Sequence, residues 1–189
     1  MKTYDRKNGF LGVHFDFHAS RDNRHIGKSF TEKTVQDVID MLHPDYIQCD
    51  TKGAYGIASY PTRLENRAPE IDKDILKIWR KATKENGVGL FAHHAAMDDR
   101  DAAERHPDWA LMRADGSLDP RLLNVPGDYI EKRLIPQLLE LAGDYELDGA
   151  WMDGSGFNIE PNYRPEILAR FTEKTGITEI PKNENDPHY

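Results

Sequence analysis

At 189 residues, 38% hydrophobic and 10% aromatic, the chain is long enough to enclose one ordinary core and is expected to fold as a single unit. A formal net charge of -8, from 33 acidic against 25 basic residues, lacks the basic excess that a phosphate backbone selects, so no nucleic-acid partner is expected. Cys49 stands alone, which rules out an internal disulfide. Mean hydropathy of -0.74, with no apolar run near the roughly 20 residues of a membrane span and no signal-like segment in residues 1–9, predicts a protein with no membrane partner and favours the cytoplasm.

Short apolar strands alternate with amphipathic helical stretches, the pattern of parallel βα units. The first strand is expected over Phe10 to Phe17. Its helix follows near Thr31 to Leu42, where Val35, Val38, Ile39 and Leu42 share one face and Ser29 with Glu32 offers a capping box. A second strand, Tyr46 to Thr51, leads through a Gly/Tyr/Pro loop to a helix over Asp72 to Asn86, ended by Asn86 and Gly87. The third strand runs from Val88 to His93 or His94. The polar excursion after it, Ala95 to Asn124, is too long for a simple connector. A helix from Gly127 to Tyr145 contains Pro136, which predicts a kink or break. The fourth strand is Gly149 to Asp153, and a last helix opens at Pro165, faces Ile167, Leu168 and Phe171 inward, and stops at Gly176.

Four such units close either as a small open sheet or as half of an eight-stranded barrel. Alternation helps to decide: His14, Asp16 and His18 share one side of strand one, Gln48, Asp50 and Lys52 one side of strand two, and Trp151 and Asp153 one side of strand four. Polar groups gathered at the carboxyl ends of strands are what a barrel's active-site end requires.

The same residues suit carbohydrate chemistry. Glycoside hydrolysis needs carboxyl groups on rigid elements, and Asp153 ends a strand beside Trp151, an apolar wall for a sugar face, with Gly154, Ser155 and Gly156 to turn the chain. Asp153 as a turn or capping residue is the alternative. His14, Asp16 and His18 form a face that is expensive to bury unless it binds something polar. His93 and His94 are adjacent, so only one enters the site. Asp50, Lys52, Tyr55 and Tyr60 mix charge with rings, as sugar pockets do, and Trp109 is either a cover for the site or a satellite anchor.

Several stretches together resemble the α-L-fucosidase-like barrel hydrolases and the related hypothetical glycosyl hydrolases: His14-Phe15-Asp16-Phe17-His18, Lys52-Gly53-Ala54-Tyr55 through Thr62, His106-Pro107-Asp108-Trp109, and Trp151-Met152-Asp153-Gly154. The resemblance spans roughly residues 10–181. It implies an α/β fold of parallel (β/α) units, with residues 1–189 as the single N-terminal portion of a TIM-barrel catalytic domain and about four of eight units present. It implies retaining hydrolysis of a terminal sugar from an oligosaccharide or glycoconjugate, with no cofactor and no metal. Asp153 matches the nucleophile of a Trp-x-Asp-Gly segment, and His14 with His93 or His94 matches sugar-contacting histidines. Asp16, His18, Asp50, Lys52, Tyr55, Trp109 and Trp151 complete the expected substrate-binding set. Lys52-Gly53-Ala54-Tyr55 departs from the His-His pair of well-studied fucosidases, which leaves the sugar and linkage open. The acid/base residue is expected in the barrel half beyond these units, so the isolated chain is expected to be incomplete. The raw sheet edges of a half barrel invite pairing with that half or with a second copy.

Two rival functions follow from the same residues. One is a metal-dependent barrel hydrolase using His14, Asp16, His18 and a histidine from strand three. The other is a non-catalytic carbohydrate-binding fragment.

Overall fold

The structure, a computed structural model, describes residues 4–153, 160–183, 185 and 186. Its elements in chain order are β1 (Gly12–Phe15), α1 (Glu32–Leu42), β2 (Tyr46–Lys52), α2 (Ile75–Asn86), β3 (Gly89–Ala95), α3 (Arg100–Arg105), β4 (Ala110–Met112) and β5 (Leu118–Leu123). A π-helical turn, Ile130–Leu134, then runs into α4 (Ile135–Gly143), followed by β6 (Gly149–Asp153) and α5 (Pro165–Thr175). β1, β2, β3 and β6 form one parallel sheet in that order. Each new strand joins the same edge, as in barrel winding, with no reversal of direction.

The helices cover one sheet face because only alternate side chains of each strand are apolar. Ile47 and Cys49 of β2 and Leu90 and Ala92 of β3 meet Val35 and Ile39 of α1, Leu76, Trp79 and Ala82 of α2, and Leu141 of α4 in one core. Full burial of such a side chain stabilises by about 1.5–3 kcal/mol. On the opposite face, Tyr46 lies over Gly12 at the amino ends of the strands. A Cβ at Gly12 would sit 2.2 Å from that ring.

Local chemistry adjusts several expected boundaries. β1 is shorter than Phe10 to Phe17 because the Asp45 carboxylate accepts hydrogen bonds from the Phe10 and Leu11 amides, both at 2.8 Å. The capping box of α1 is Thr31 with Thr34, not Ser29 with Glu32: each side chain accepts from the other's amide. α2 starts at Ile75 because Asp74 caps it, accepting from the Lys77 amide. Pro136 has no N–H for the Lys132 carbonyl, and at this place the Ile135 amide reaches back to Ile130, which makes the π turn. The apolar side of α5 is only half buried, and no residue of that helix is fully buried.

The excursion after β3 is a structured insert. α3 and the antiparallel β4–β5 pair enclose a second core of Ala96, Met97, Ala102, Trp109, Leu123, Tyr129 and Leu134. A buried charge network fastens it. Asp101 accepts from Arg21 (2.6 Å), Arg105 (2.9 Å) and Arg133 (3.1 Å), and Arg133 also contacts Glu65 and Asp99. Burial opposes ionisation of Asp101, but the Arg21 and Arg105 hydrogen bonds and the Arg133 charge outweigh it and hold its pKa below the ordinary carboxylate value.

A depressed folded pKa contributes stability that is present above the unfolded value of about 3.9 and is lost as pH falls through the folded value. Removing one partner of a buried pair costs about 3 kcal/mol or more. Asp101→Asn should therefore lower the urea unfolding free energy by about that amount at pH 7, with the gap to the unmodified chain narrowing below about pH 4. An unchanged urea midpoint at pH 7 would show that the network contributes nothing net.

Candidate active site

The site lies on the sheet face opposite the one packed against α1, α2 and α4, at the carboxyl ends of the strands. Parallel register sets Asp50 beside His93 and His93 beside Trp151, with Asp153 one pleat further on, beside Ala95. His14 on β1 points to the same face, and Asp16 and His18 follow in the loop. Gly53 makes room for His18, since a Cβ there would stand 2.4 Å from the imidazole.

His93 is the centre of the group and is 2% exposed. Its Nε2 lies 2.9 Å from Asp153 Oδ2 and its Nδ1 lies 3.5 Å from Asp50 Oδ1. Both are contacts between a ring nitrogen and a carboxylate oxygen, ionic when the imidazole is protonated. The ring stacks on Trp151 at 5.2 Å and meets the edge of His14 at 4.6 Å. His18 Nε2 sits 2.9 Å from Asp16 and 3.6 Å from Asp50. Burial disfavours the His93 imidazolium, but Asp50 and Asp153 together outweigh that and raise its pKa.

Asp50 is the most confined carboxylate here. Its side chain is 1% exposed, and neither oxygen has a hydrogen-bond partner among the described residues. Asp153 is 37% exposed and Trp151 49%, so a carboxylate and an aromatic ring both reach open space. Asp16, His18, Asp50 and His93 each offer a donor atom, all within 4.8 Å of one another, a set able to hold a metal ion. His14, a member of the rival metal reading of the sequence, is outside this set, and Asp50 stands in it instead.

Lys52 is placed elsewhere than expected, and the structure decides the two open choices, between His93 and His94 and between the two roles of Trp109. A register shift between Asp50 and Lys52 breaks the alternation that put Lys52 beside Asp50. The Lys52 ammonium is wholly buried, 2.9 Å from Asp99 and 2.7 Å from the Tyr129 hydroxyl; it is neither a sugar contact nor a solvated surface cation. His94 faces away from His93's side and contacts the Thr51 hydroxyl at 2.9 Å. Burial, seconded by the Lys52 charge, holds its pKa well below the ordinary histidine value, so it is a neutral packing residue. Trp109 is buried in the second core, stacked on His106 at 3.8 Å with Arg133 over its ring, and covers no site. Tyr55 is 53% exposed on the loop after β2. Tyr60 is buried, with its hydroxyl donating to Glu140. Gly154, Ser155 and Gly156 lie outside the described residues.

Sequence reasoning missed a neighbouring cavity. A space of about 590 Å³ adjoins Asp16 and His18 and is lined also by Asn23, His25, Lys28 and Trp79. The β1–α1 loop that supplies most of these residues has no periodicity to point to them.

Comparison with known proteins fits this arrangement. The profile of the family described as hypothetical glycosyl hydrolase 6 matches residues 31–154. The fold is similar to α-L-fucosidase isoenzyme 2 from Paenibacillus thiaminolyticus, with TM-score 0.74, 23% identity, and 96% of this chain covering 27% of that one. It is also similar to an α-L-fucosidase from Vibrio sp. strain EJY3 (TM-score 0.54, 16% identity, 81% of this chain and 26% of that). A hypothetical protein from Ruminiclostridium thermocellum shares the fold at TM-score 0.56 and 13% identity, with 76% of this chain and 87% of that one covered. No curated protein matches the chain. The chain thus spans about a quarter of the length of the two fucosidases. Its parallel four-stranded sheet is a partial TIM-barrel architecture.

The two adjacent histidines offer a direct test of the face assignment. His94→Ala, which opens a cavity beside Thr51, should cost about 2 kcal/mol in urea unfolding, whereas His14→Ala on the open face should cost under about 0.5 kcal/mol. Equal costs would contradict the placement.

Proposed function

The chain belongs to the hypothetical glycosyl hydrolase 6 family, and on that premise we propose that it carries the nucleophile and sugar-binding part of a retaining glycosidase, acting on terminal α-L-fucosides. The observation that carries this reading is Asp153 at the carboxyl end of β6. It is partly exposed, contacts His93 at 2.9 Å, and neighbours the open ring of Trp151.

In the proposed reaction the Asp153 carboxylate attacks the anomeric carbon from the face opposite the leaving oxygen. The glycosidic bond breaks, a glycosyl-enzyme ester forms, and water then displaces Asp153 so that two inversions give retention. His93 holds the carboxylate in place through its Nε2, and Asp50 holds His93 from the other nitrogen. Trp151 presents an apolar ring to the less polar face of the sugar, and His14, Asp16 and His18 offer donors and acceptors to its hydroxyls. The fucoside assignment is supported by the two fucosidases that share the fold, and rests on them alone. No acid/base residue is assigned in this chain.

That division suggests a test that needs no general acid. A 2-deoxy-2-fluoro-fucosyl fluoride carries a leaving group that departs unprotonated, and the fluorine at C2 slows hydrolysis of the ester. Intact and peptide mass spectrometry should show one added fluorofucosyl group, on Asp153, and none on Asp153→Asn. Labelling of a different carboxylate would remove Asp153 as the nucleophile. Fucose binding without any labelling would favour a carbohydrate-binding role, and labelling only by the galactosyl analogue would change the sugar.

A further inference from the structure

We propose that Asp16, His18, Asp50 and His93 bind one divalent ion of the zinc class, and that this ion competes with sugar for the site. The competition rests on the glycosidase reading above; the ion binding does not.

Two independent observations support the site. The first is geometric convergence: four donor atoms, from the segment after β1, from β2 and from β3, lie within 4.8 Å of one another. Tetrahedral zinc holds imidazole nitrogen and carboxylate oxygen at about 2.0–2.2 Å, which places ligand atoms roughly 3.5 Å apart. Two contacts already meet that spacing: His18 to Asp50 at 3.6 Å and His93 to Asp50 at 3.5 Å. The second is the state of Asp50. Its carboxylate is 1% exposed, aimed between the two imidazoles, and has no hydrogen bond to either oxygen among the described residues. A buried carboxylate without donors is costly, and a cation between Asp50, His18 and His93 would satisfy it directly.

The donor set selects the ion. Two imidazoles and two carboxylates suit zinc and its neighbours, whereas magnesium and calcium favour all-oxygen shells and copper(I) favours sulfur. The arrangement also supplies an outer partner. With Nδ1 of His93 turned to Asp50 and Nε2 turned to Asp153, Asp153 would fix the ring orientation from behind, as carboxylates do for metal-bound histidines. Asp16 is exposed, which gives the ion an entry path.

Cobalt(II) is the probe, because its visible absorption reports coordination without any activity. The 189-residue chain, freed of metal with chelator, should bind one equivalent with the intense bands of a four-coordinate site, and zinc should displace it. Asp50→Asn, His18→Ala and the exposed Asp16→Asn should each weaken binding at least tenfold, and Asp153→Asn by about 10–100-fold. His25→Gln, which changes an exposed histidine of the neighbouring cavity, should leave binding unchanged, and thermal unfolding would confirm that each variant is folded. Absence of saturable cobalt binding, or binding that survives Asp50→Asn and Asp16→Asn alike, overturns the site. Fucose should lower the apparent cobalt affinity. Cobalt binding indifferent to bound fucose would keep the ion site and overturn the competition; fucose binding without cobalt binding would overturn the ion site and leave the glycosidase reading standing.

Discussion

Adjacent side chains of a strand must face opposite sides of its sheet, and in a parallel sheet whose crossover helices lie on one side this divides the sequence into two separate environments. Ile47, Cys49, Leu90 and Ala92 meet the helices, and their neighbours Gln48, Asp50, Phe91 and His93 do not. Because the strands are parallel and added in chain order, their carboxyl ends lie side by side. Residues distant in sequence, His14, Asp50, His93 and Asp153, therefore meet without any loop having to bring them together. The chemistry of the site is a by-product of pleat and register, fixed by the same apolar contacts that hold the core.

The insert between β3 and the π turn is stabilised differently. Asp99, Asp101, Lys52 and Arg133 are all buried and mutually paired, an arrangement whose net contribution is limited by desolvation. Its geometric specificity is high, however. Asp99 both caps α3 through the Ala102 amide and receives Lys52 and Tyr129, so the position of α3 is tied to the end of β2. The register shift that turns Lys52 away from the site is what gives Asp99 its cation. The same shift removes a competing ammonium from the neighbourhood of Asp50, whose carboxylate meets the imidazoles of His18 and His93.

Much of the fold was legible in the sequence because it depends on short-range pattern. The periodic apolar face of α1, Gly87 ending α2 in a left-handed conformation, Pro136 interrupting its helix, and β6 at Gly149–Asp153 follow from spacing and backbone chemistry. The grouping of His14, Asp16, Asp50, His93 and Asp153 was legible for the same reason. The misplacements arise where a local rule was extended across a non-local event. Lys52 was assigned by period two through a bulge that only pairing with β3 creates. Ser29 with Glu32 and Thr31 with Thr34 both satisfy capping chemistry, and the exact starting turn decides between them. Trp109, open in the sequence between a cover and a satellite anchor, takes the second role in a core enclosed by α3, β4, β5 and Tyr129, none of which is marked by strong periodicity.

The remaining constraint lies in one imidazole. His93 has two nitrogens and stands between two carboxylates, so the use of one nitrogen limits the other. A proton on Nε2 directed at Asp153 orients that carboxylate, and in the neutral ring it leaves Nδ1 as a lone pair facing Asp50. A proton on both nitrogens gives a cation that answers the two carboxylates at once, in keeping with the raised pKa of His93. An ion held at Nδ1 replaces that second proton as the positive charge and leaves the Asp153 contact in place. On the two proposals made above, sugar hydroxyls and an ion would draw on the same His18, Asp16 and Asp50 groups, and the site would accommodate one of them at a time.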